Sequence, residues 1–381
     1  MLALINSSTS TDVVALCIWC LTRLVRNGDI AAGLIKQDVI PLLLTKGLTG
    51  PPATSRTASW CLGNLIWNDA LADLLSTQNV IQDCANHLMR VTDTSDMLPE
   101  DICAAIFVVG RMARSIKLSK LLAKAGCVDP LVRQLNTSDD PLILQWSARA
   151  VGCLMRPNSA DMSKTLLEAG AAKGLARLPQ VIPTEAIEPL ESFAFAIQRF
   201  SCAEWGSTTR KALVDAGVVD SLLAALRTAA DVPWPQAHIE LALAVSFLGD
   251  VGGASIRKEI VRAGGIDILK RVGANGKPDV AKACNTAVTS ITGNILTRNA
   301  GEFPAKRYYM ACLLMEIDQR LQKPPCRIIG VEVVQNISLR AHHYQEHCSD
   351  RSRLYLERRT FDMPIFFSVY GCMWRMNHIF F

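Results

Sequence analysis

Apolar residues recur at spacings of three and four along most of the first three hundred positions, the period of helices that bury one face. The stretch Ser55 to Val80 sets the unit. It reads as a helix carrying Trp60-Cys61-Leu62-Gly63-Asn64, a break at Asn68-Asp69, and a second helix from about Ala70 to Thr77. Four later segments align with one another: LLAKAGCVDPLVRQL at 121–135, TLLEAGAAKGLARLP at 165–179, ALVDAGVVDSLLAAL at 212–226 and EIVRAGGIDILKRVG at 259–273. Their glycines, Gly126, Gly170, Gly217 and Gly264, lie 44, 47 and 47 residues apart. Asn79 falls 47 residues before the first of them and Asp38 a further 41 before that. Each slot ends a short helix in a residue that tolerates the left-handed conformation of a helix C-cap, and a second amphipathic helix begins at once.

About seventeen residues before each slot lies the centre of a third, longer helix built from small and apolar residues. These third helices are expected at 11–24, 55–67, 100–113, 142–155, 188–201 and 237–250, and a seventh at 279–296 closes the series. Several open on proline or an acidic residue, as at Pro99-Glu100-Asp101 and Pro278-Asp279, which suits a helix N-terminus. Between the second and third helices run turn-forming stretches such as Gly50-Pro51-Pro52 and Asp231-Val232-Pro233-Trp234-Pro235, whose varying lengths account for the wandering period.

Three helices in a unit of 41 to 47 residues resemble the armadillo repeat; HEAT repeats have two helices per unit. The resemblance covers residues 10–298 with six units. It implies an all-α fold, a right-handed α-solenoid of about six armadillo repeats with an irregular C-terminal tail. Ala58-Ser59-Trp60-Cys61-Leu62-Gly63-Asn64-Leu65 is similar to the third-helix motif of importin α, in which Trp-x-x-x-Asn lines a peptide groove. The array opens inside a third helix, so a truncated or incomplete N-terminus is expected, because solenoid ends are ordinarily capped.

Composition narrows the function classes. Half of the 381 residues are hydrophobic but only 6% are aromatic, a palette for helix packing. The net charge of +5 is small and no basic run concentrates it, so neither direct nucleic-acid binding nor a membrane surface is indicated. No apolar run reaches bilayer length and the first residues lack a secretory signal, which predicts an intracellular protein of the cytoplasm, the nucleus or both. The 13 cysteines, an odd number scattered through apolar runs, read as buried thiols of a reducing compartment. Residues 302–381 depart from the repeat, carry four of the six histidines, and leave two readings open: an irregular cap on the array, or a segment that is not a selected protein sequence.

In an armadillo array the third helices lie side by side, so equivalent positions form ladders. Counting back from the slots, one ladder holds Trp19, Trp60, Phe107, Val151, Gln198 and Val245, and a second, four residues on, holds Arg23, Asn64, Arg111, Met155, Cys202 and Gly249. The first three rungs of each, Trp19, Arg23, Trp60, Asn64, Phe107 and Arg111, are the expected peptide-groove residues. An asparagine amide can hold an extended backbone through both donor and acceptor, and the aromatic rings can flank long side chains. Arg23 and Arg111 would favour carboxylates over a basic peptide.

Other candidate chemistry is thin. Cys17-Ile18-Trp19-Cys20 is mid-helix with no second pair, and Gly273-Ala-Asn-Gly276-Lys277 lacks the spacing of a phosphate loop. His342, His343, His347 and Cys348 stand without helical pattern or supporting carboxylates, so no metal, cofactor, small-molecule substrate or catalytic residue is expected. The expected function is a non-catalytic scaffold that binds an extended segment of a protein or peptide partner. The alternatives are an importin-α-like nuclear import adaptor, or an adaptor subunit of an enzyme complex such as a ubiquitin ligase or GTPase regulator.

Overall fold

A computed structural model describes residues 1–76, 79–155, 159–202 and 207–293, and every segment of regular structure among them is helical. Two helices, α1 (Leu2–Ser7) and α2 (Thr11–Leu24), precede six three-helix repeats. The first repeat is α3 (Gly28–Lys36), α4 (Val39–Leu42, running on as a π-helix over Leu43–Leu48) and α5 (Pro52–Leu65). The second is α6 (Asp69–Ser76), α7 (Val80–Asp93) and α8 (Pro99–Met112), and the third is α9 (Ile116–Lys124), α10 (Val128–Thr137) and α11 (Pro141–Leu154). Then come α12 (Ala160–Glu168), α13 (Ala171–Val181) and α14 (Glu188–Cys202), followed by α15 (Ser207–Asp215), α16 (Val218–Ala229) and α17 (Pro235–Val251). The sixth repeat is α18 (Gly253–Arg262), α19 (Gly265–Asn275) and α20 (Pro278–Thr292).

All six slots are left-handed. Gly126, Gly170, Gly217 and Gly264 have φ between +81° and +96°, and Asp38 and Asn79 reach +56° and +58°. At the third slot the Cys127 N–H donates to Leu122 O at 3.1 Å, which satisfies a carbonyl at the end of α9 as α10 begins. The N-termini of the first helices are capped by side chains at the same period. Asn27 accepts from Ile30 N, Asn68 from Leu71 N, Ser115 from Leu118 N and Ser159 from Met162 N, at 2.9 to 3.3 Å.

Each third helix packs on the third helices before and after it, giving one row from α2 through α5, α8, α11, α14 and α17 to α20. The second helices α10, α13 and α16 form a parallel row. Arginines tie successive second helices together. Arg90 donates to Leu48 O, Arg133 pairs with Asp93, and Arg177 donates to Ser138 O and pairs with Asp139. In each case the guanidinium meets the C-terminal end of the preceding second helix, where the helix dipole is negative.

A short helix, α1, precedes the expected start of the array at residue 10 and packs against α2. The expected tail at 302–381, with its histidines and Cys348, lies outside the described residues.

Candidate binding surface

The expected groove residues sit where the row of third helices brings successive repeats together. Trp60 and Phe107, from α5 and α8, place their ring centroids 4.4 Å apart. Trp146 of α11 meets both edge-on, at 5.6 Å and 5.3 Å. Such pairs are worth about 0.5–1.5 kcal/mol each beyond the area they bury. Close approach depends on Gly63, since a Cβ there would come within 2.3 Å of the Phe107 ring. The same device recurs two repeats later, where a Cβ on Gly152 would meet the Phe195 ring at 2.6 Å.

The six candidates divide by depth. Trp19 and Arg23 are half-buried, whereas Trp60, Asn64, Phe107 and Arg111 are buried, at 3%, 6%, 2% and 4% exposure. Arg111 does not stand as an open anion receptor. Its Nε donates to Gly63 O at 3.3 Å and one terminal nitrogen to Ile66 O at 2.5 Å, so it closes the C-terminal end of α5 from the next repeat. Arg56, one turn before Trp60 on the same face of α5, is bridged to Asp101 of α8 at 3.5 Å.

The ladder beyond the third repeat differs from the count made from the slots. Val151, Met155 and Val245 are core residues with no exposure. On the next helix Trp146 stands beside Phe107, and Arg149 of that helix lies over the Phe195 ring of α14. The Arg149 guanidinium lies 4.1 Å from the Phe195 ring centroid and that of Arg199 lies 5.2 Å from it. The connection from a third helix to the next slot varies in length, so counting from the slot slips. Proline marks the fixed start. Pro52, Pro99 and Pro141 each open a third helix, and Trp60, Phe107 and Arg149 follow each at the same distance.

Toward the last repeats the row becomes acidic. The Trp234 indole N–H donates to the Glu191 carboxylate at 2.5 Å. Glu240 of α17 is buried and accepts from the amides of Gln198 and Gln236 at 2.9 and 2.8 Å. Burial raises Glu191 to a pKa of about 7, with the Glu240 charge adding to the rise, while the Trp234 hydrogen bond and Arg149 oppose it.

Among the described residues no group of three or more His, Cys, Asp or Glu side chains could hold a metal ion, and no helix is long and apolar enough to cross a membrane. The described thiols are free, and burial pushes Cys61 and Cys127 up to about 12, away from nucleophilic thiolate character. Cys17 is buried and Cys20 half-buried in α2, which suits packing.

The fold is that of the armadillo-repeat solenoid. A designed armadillo repeat protein solved in complex with the peptide (KR)4 superposes with a TM-score of 0.55 at 17% identity, over 67% of this chain and all of that one. A further engineered protein gives 0.57 at 20% identity, over 66% and 98%. No model of a known protein family matches the chain. Among curated proteins, importin subunit alpha-9 of Arabidopsis thaliana is 26% identical over 156 residues, which is 40% of this chain and 29% of the relative. The chain thus spans under a third of the length of that relative.

Proposed function

We propose that this protein is a non-catalytic scaffold that binds an extended segment of a partner protein along the row of third helices, in the cytoplasm or nucleus. The observation that carries the reading is the uninterrupted row itself. Seven helices, from α2 to α20, each pack on the next. An extended peptide rises about 3.3 Å per residue, so each helix of the row, about 10 Å from the next, meets every third peptide residue.

Trp19, Arg23, Arg149, Glu191 and Trp234 supply direct contacts, being exposed or half-buried. Trp60, Asn64, Phe107 and Arg111 form the wall that sets the shape beneath them. The importin-like adaptor is the second reading, favoured by the match to importin subunit alpha-9 and by Trp60 and Asn64 at the motif spacing.

The test is fluorescence anisotropy on the full chain with labelled Lys/Arg-rich and Asp/Glu-rich decapeptides. Two double variants, Trp19→Ala/Arg23→Ala and Glu191→Gln/Trp234→Ala, are run beside it. Binding of one peptide class, weakened about tenfold or more by either double variant (about 1.4 kcal/mol), is the expected result. A basic preference strengthens the importin-like reading. No binding, or binding that neither double variant alters, overturns the proposal.

A further inference from the structure

The dipeptide Asn-Gly occurs twice in the chain, at Asn27-Gly28 and at Asn275-Gly276. It is the pairing most open to spontaneous deamidation, because glycine places no side chain in the way of its own backbone nitrogen. Both asparagines are exposed, so access of water does not separate them. Their surroundings do. Asn27 caps α3, its side-chain oxygen accepting from Ile30 N at 2.9 Å, and Gly28 lies against Trp67, where a built Cβ would meet the indole ring at 3.0 Å. The first amide is thus held over a helix N-terminus, and the glycine after it is shielded.

Asn275 is the last residue of α19 and has no comparable hold. The C-cap N–H groups of α18 and α20 donate back to Glu259 O and Thr289 O, whereas among the described residues the Gly276 N–H makes no such bond. Nor does any hydrogen bond among the described residues engage the Asn275 side chain. The chain leaves the helix at once, with Gly276 extended at φ −91° and ψ 169°. Fraying of this one residue costs little, and it frees Asn275 to bring its Cγ to the glycine nitrogen. Glycine is itself fixed at 276 by packing, since a Cβ would meet Val280 Cγ1 at 2.6 Å and Val272 O at 3.0 Å. The packing that excludes a side chain there is what keeps the nitrogen open to attack.

We infer that Asn275 is a site of spontaneous deamidation, and that the product loosens α20 from α19. The Gly276 nitrogen gives up its proton to hydroxide and bonds to Asn275 Cγ; the Cγ–Nδ2 bond breaks, ammonia leaves, and a succinimide closes. Water then opens the ring. Cleavage at Cγ gives aspartate, and cleavage at the main-chain carbonyl gives isoaspartate, whose backbone runs on through Cβ and Cγ. Nothing is oxidised or reduced. Either product sets a carboxylate at the negative end of the α19 dipole, where the last turn carries no basic residue. Isoaspartate also lengthens the main chain by one carbon directly before Gly276, where Val280 and Val272 leave no room. Helix α20 begins at Pro278 and packs on α19 and α17, so its first turn must take up the change. The inference stands apart from the groove reading, because no partner takes part in the chemistry.

The experiment is peptide mapping by mass spectrometry of the full chain, kept for increasing times in mildly alkaline buffer at body temperature. Isoaspartate is labelled in the same samples with an isoaspartyl methyltransferase. The variants are Asn275→Gln, whose longer side chain closes a larger ring more slowly, and Asn275→Asp; residue 275 is exposed, so both leave the core untouched. The expected result is conversion at Asn275 many-fold faster than at Asn27, with the methyl label on the peptide carrying residue 275 lost in Asn275→Gln. Hydrogen exchange is then read on the converted fraction, separated by its added charge. Exchange through α20 should speed several-fold while α5 is unchanged, and Asn275→Asp, which has the charge without the longer backbone, should fall between. No conversion at Asn275, equal conversion at the two asparagines, or a label that persists at residue 275 in Asn275→Gln overturns the site. Conversion that leaves exchange in α20 unchanged overturns the loosening.

Discussion

At the scale of single residues, backbone conformation explains more of this protein than side-chain chemistry does. The slot between first and second helices demands a positive φ, and the chain fills it with Asp38, Asn79 and four glycines. Around Gly217 there is nothing within 4 Å of a built Cβ, so substitution there is a matter of backbone strain alone. Gly217→Ala is expected to cost about 1–2 kcal/mol in chemical denaturation, and Gly217→Asn distinctly less, because asparagine tolerates the left-handed region. His87 is the second telling residue. It is buried in α7, Arg90 lies 2.8 Å from its Nδ1, and its Nε2 has no hydrogen-bond partner among the described residues. Burial first, and Arg90 second, lower its pKa to about 4 from 6.5. The unfolded chain then binds a proton that the folded chain refuses. The contribution of His87 to stability is fully present well above pH 6.5 and is lost as pH drops toward 4, by up to about 3 kcal/mol. In urea titrations at pH 7.5 and 4.5, His87→Gln should shrink the difference between the two midpoints; an unchanged difference would assign the acid sensitivity to other groups.

Among elements, the third helices decide both the stacking distance and the surface. Gly63 lets the Phe107 ring sit on the backbone of α5, and from there the ring reaches Trp60 and Trp146. Gly63→Ala must push the ring aside and should destabilise by about 1–3 kcal/mol. The accompanying signature is a change in tryptophan emission, since Trp60 and Trp146 are the rings in contact with Phe107. The helices themselves were legible in the sequence to within a few residues, because proline starts, asparagine and serine caps and apolar period all agree on them. The ladder across them was not. Phe107 meets Trp146 and Phe195 meets Gly152 through helix-to-helix register, and the variable connections hide that register from any count along the chain. Pro52, Pro99 and Pro141 carried the one sequence signal that would have fixed it.

At the largest scale, among the described residues the repeats pack chiefly on their neighbours, so the stability of the array is close to a sum of local and nearest-neighbour contributions. A destabilising change in one repeat should therefore stay local. In hydrogen exchange, Gly170→Val is expected to speed exchange through α12 to α14 and their immediate neighbours while α5 keeps its protection. Uniform loss of protection across the chain would instead mark a single cooperative unit. The arginine ties from α7, α10 and α13 to the second helix before each supply part of the coupling between neighbours, and their period is visible only once the helix ends are placed in space.

The sequence by itself determined the repeat: its period, its three helices, its left-handed slots and the armadillo class they resemble. These follow from local conformational preference and from apolar spacing, which are properties of short stretches of chain. The tertiary structure alone decided which side chains share a rung, that Arg111 is spent on the carbonyls of α5, and that Trp60 and Phe107 lie buried beside Trp146. Exposure and register depend on what the neighbouring repeat places opposite a residue, and no stretch of sequence contains its own neighbour.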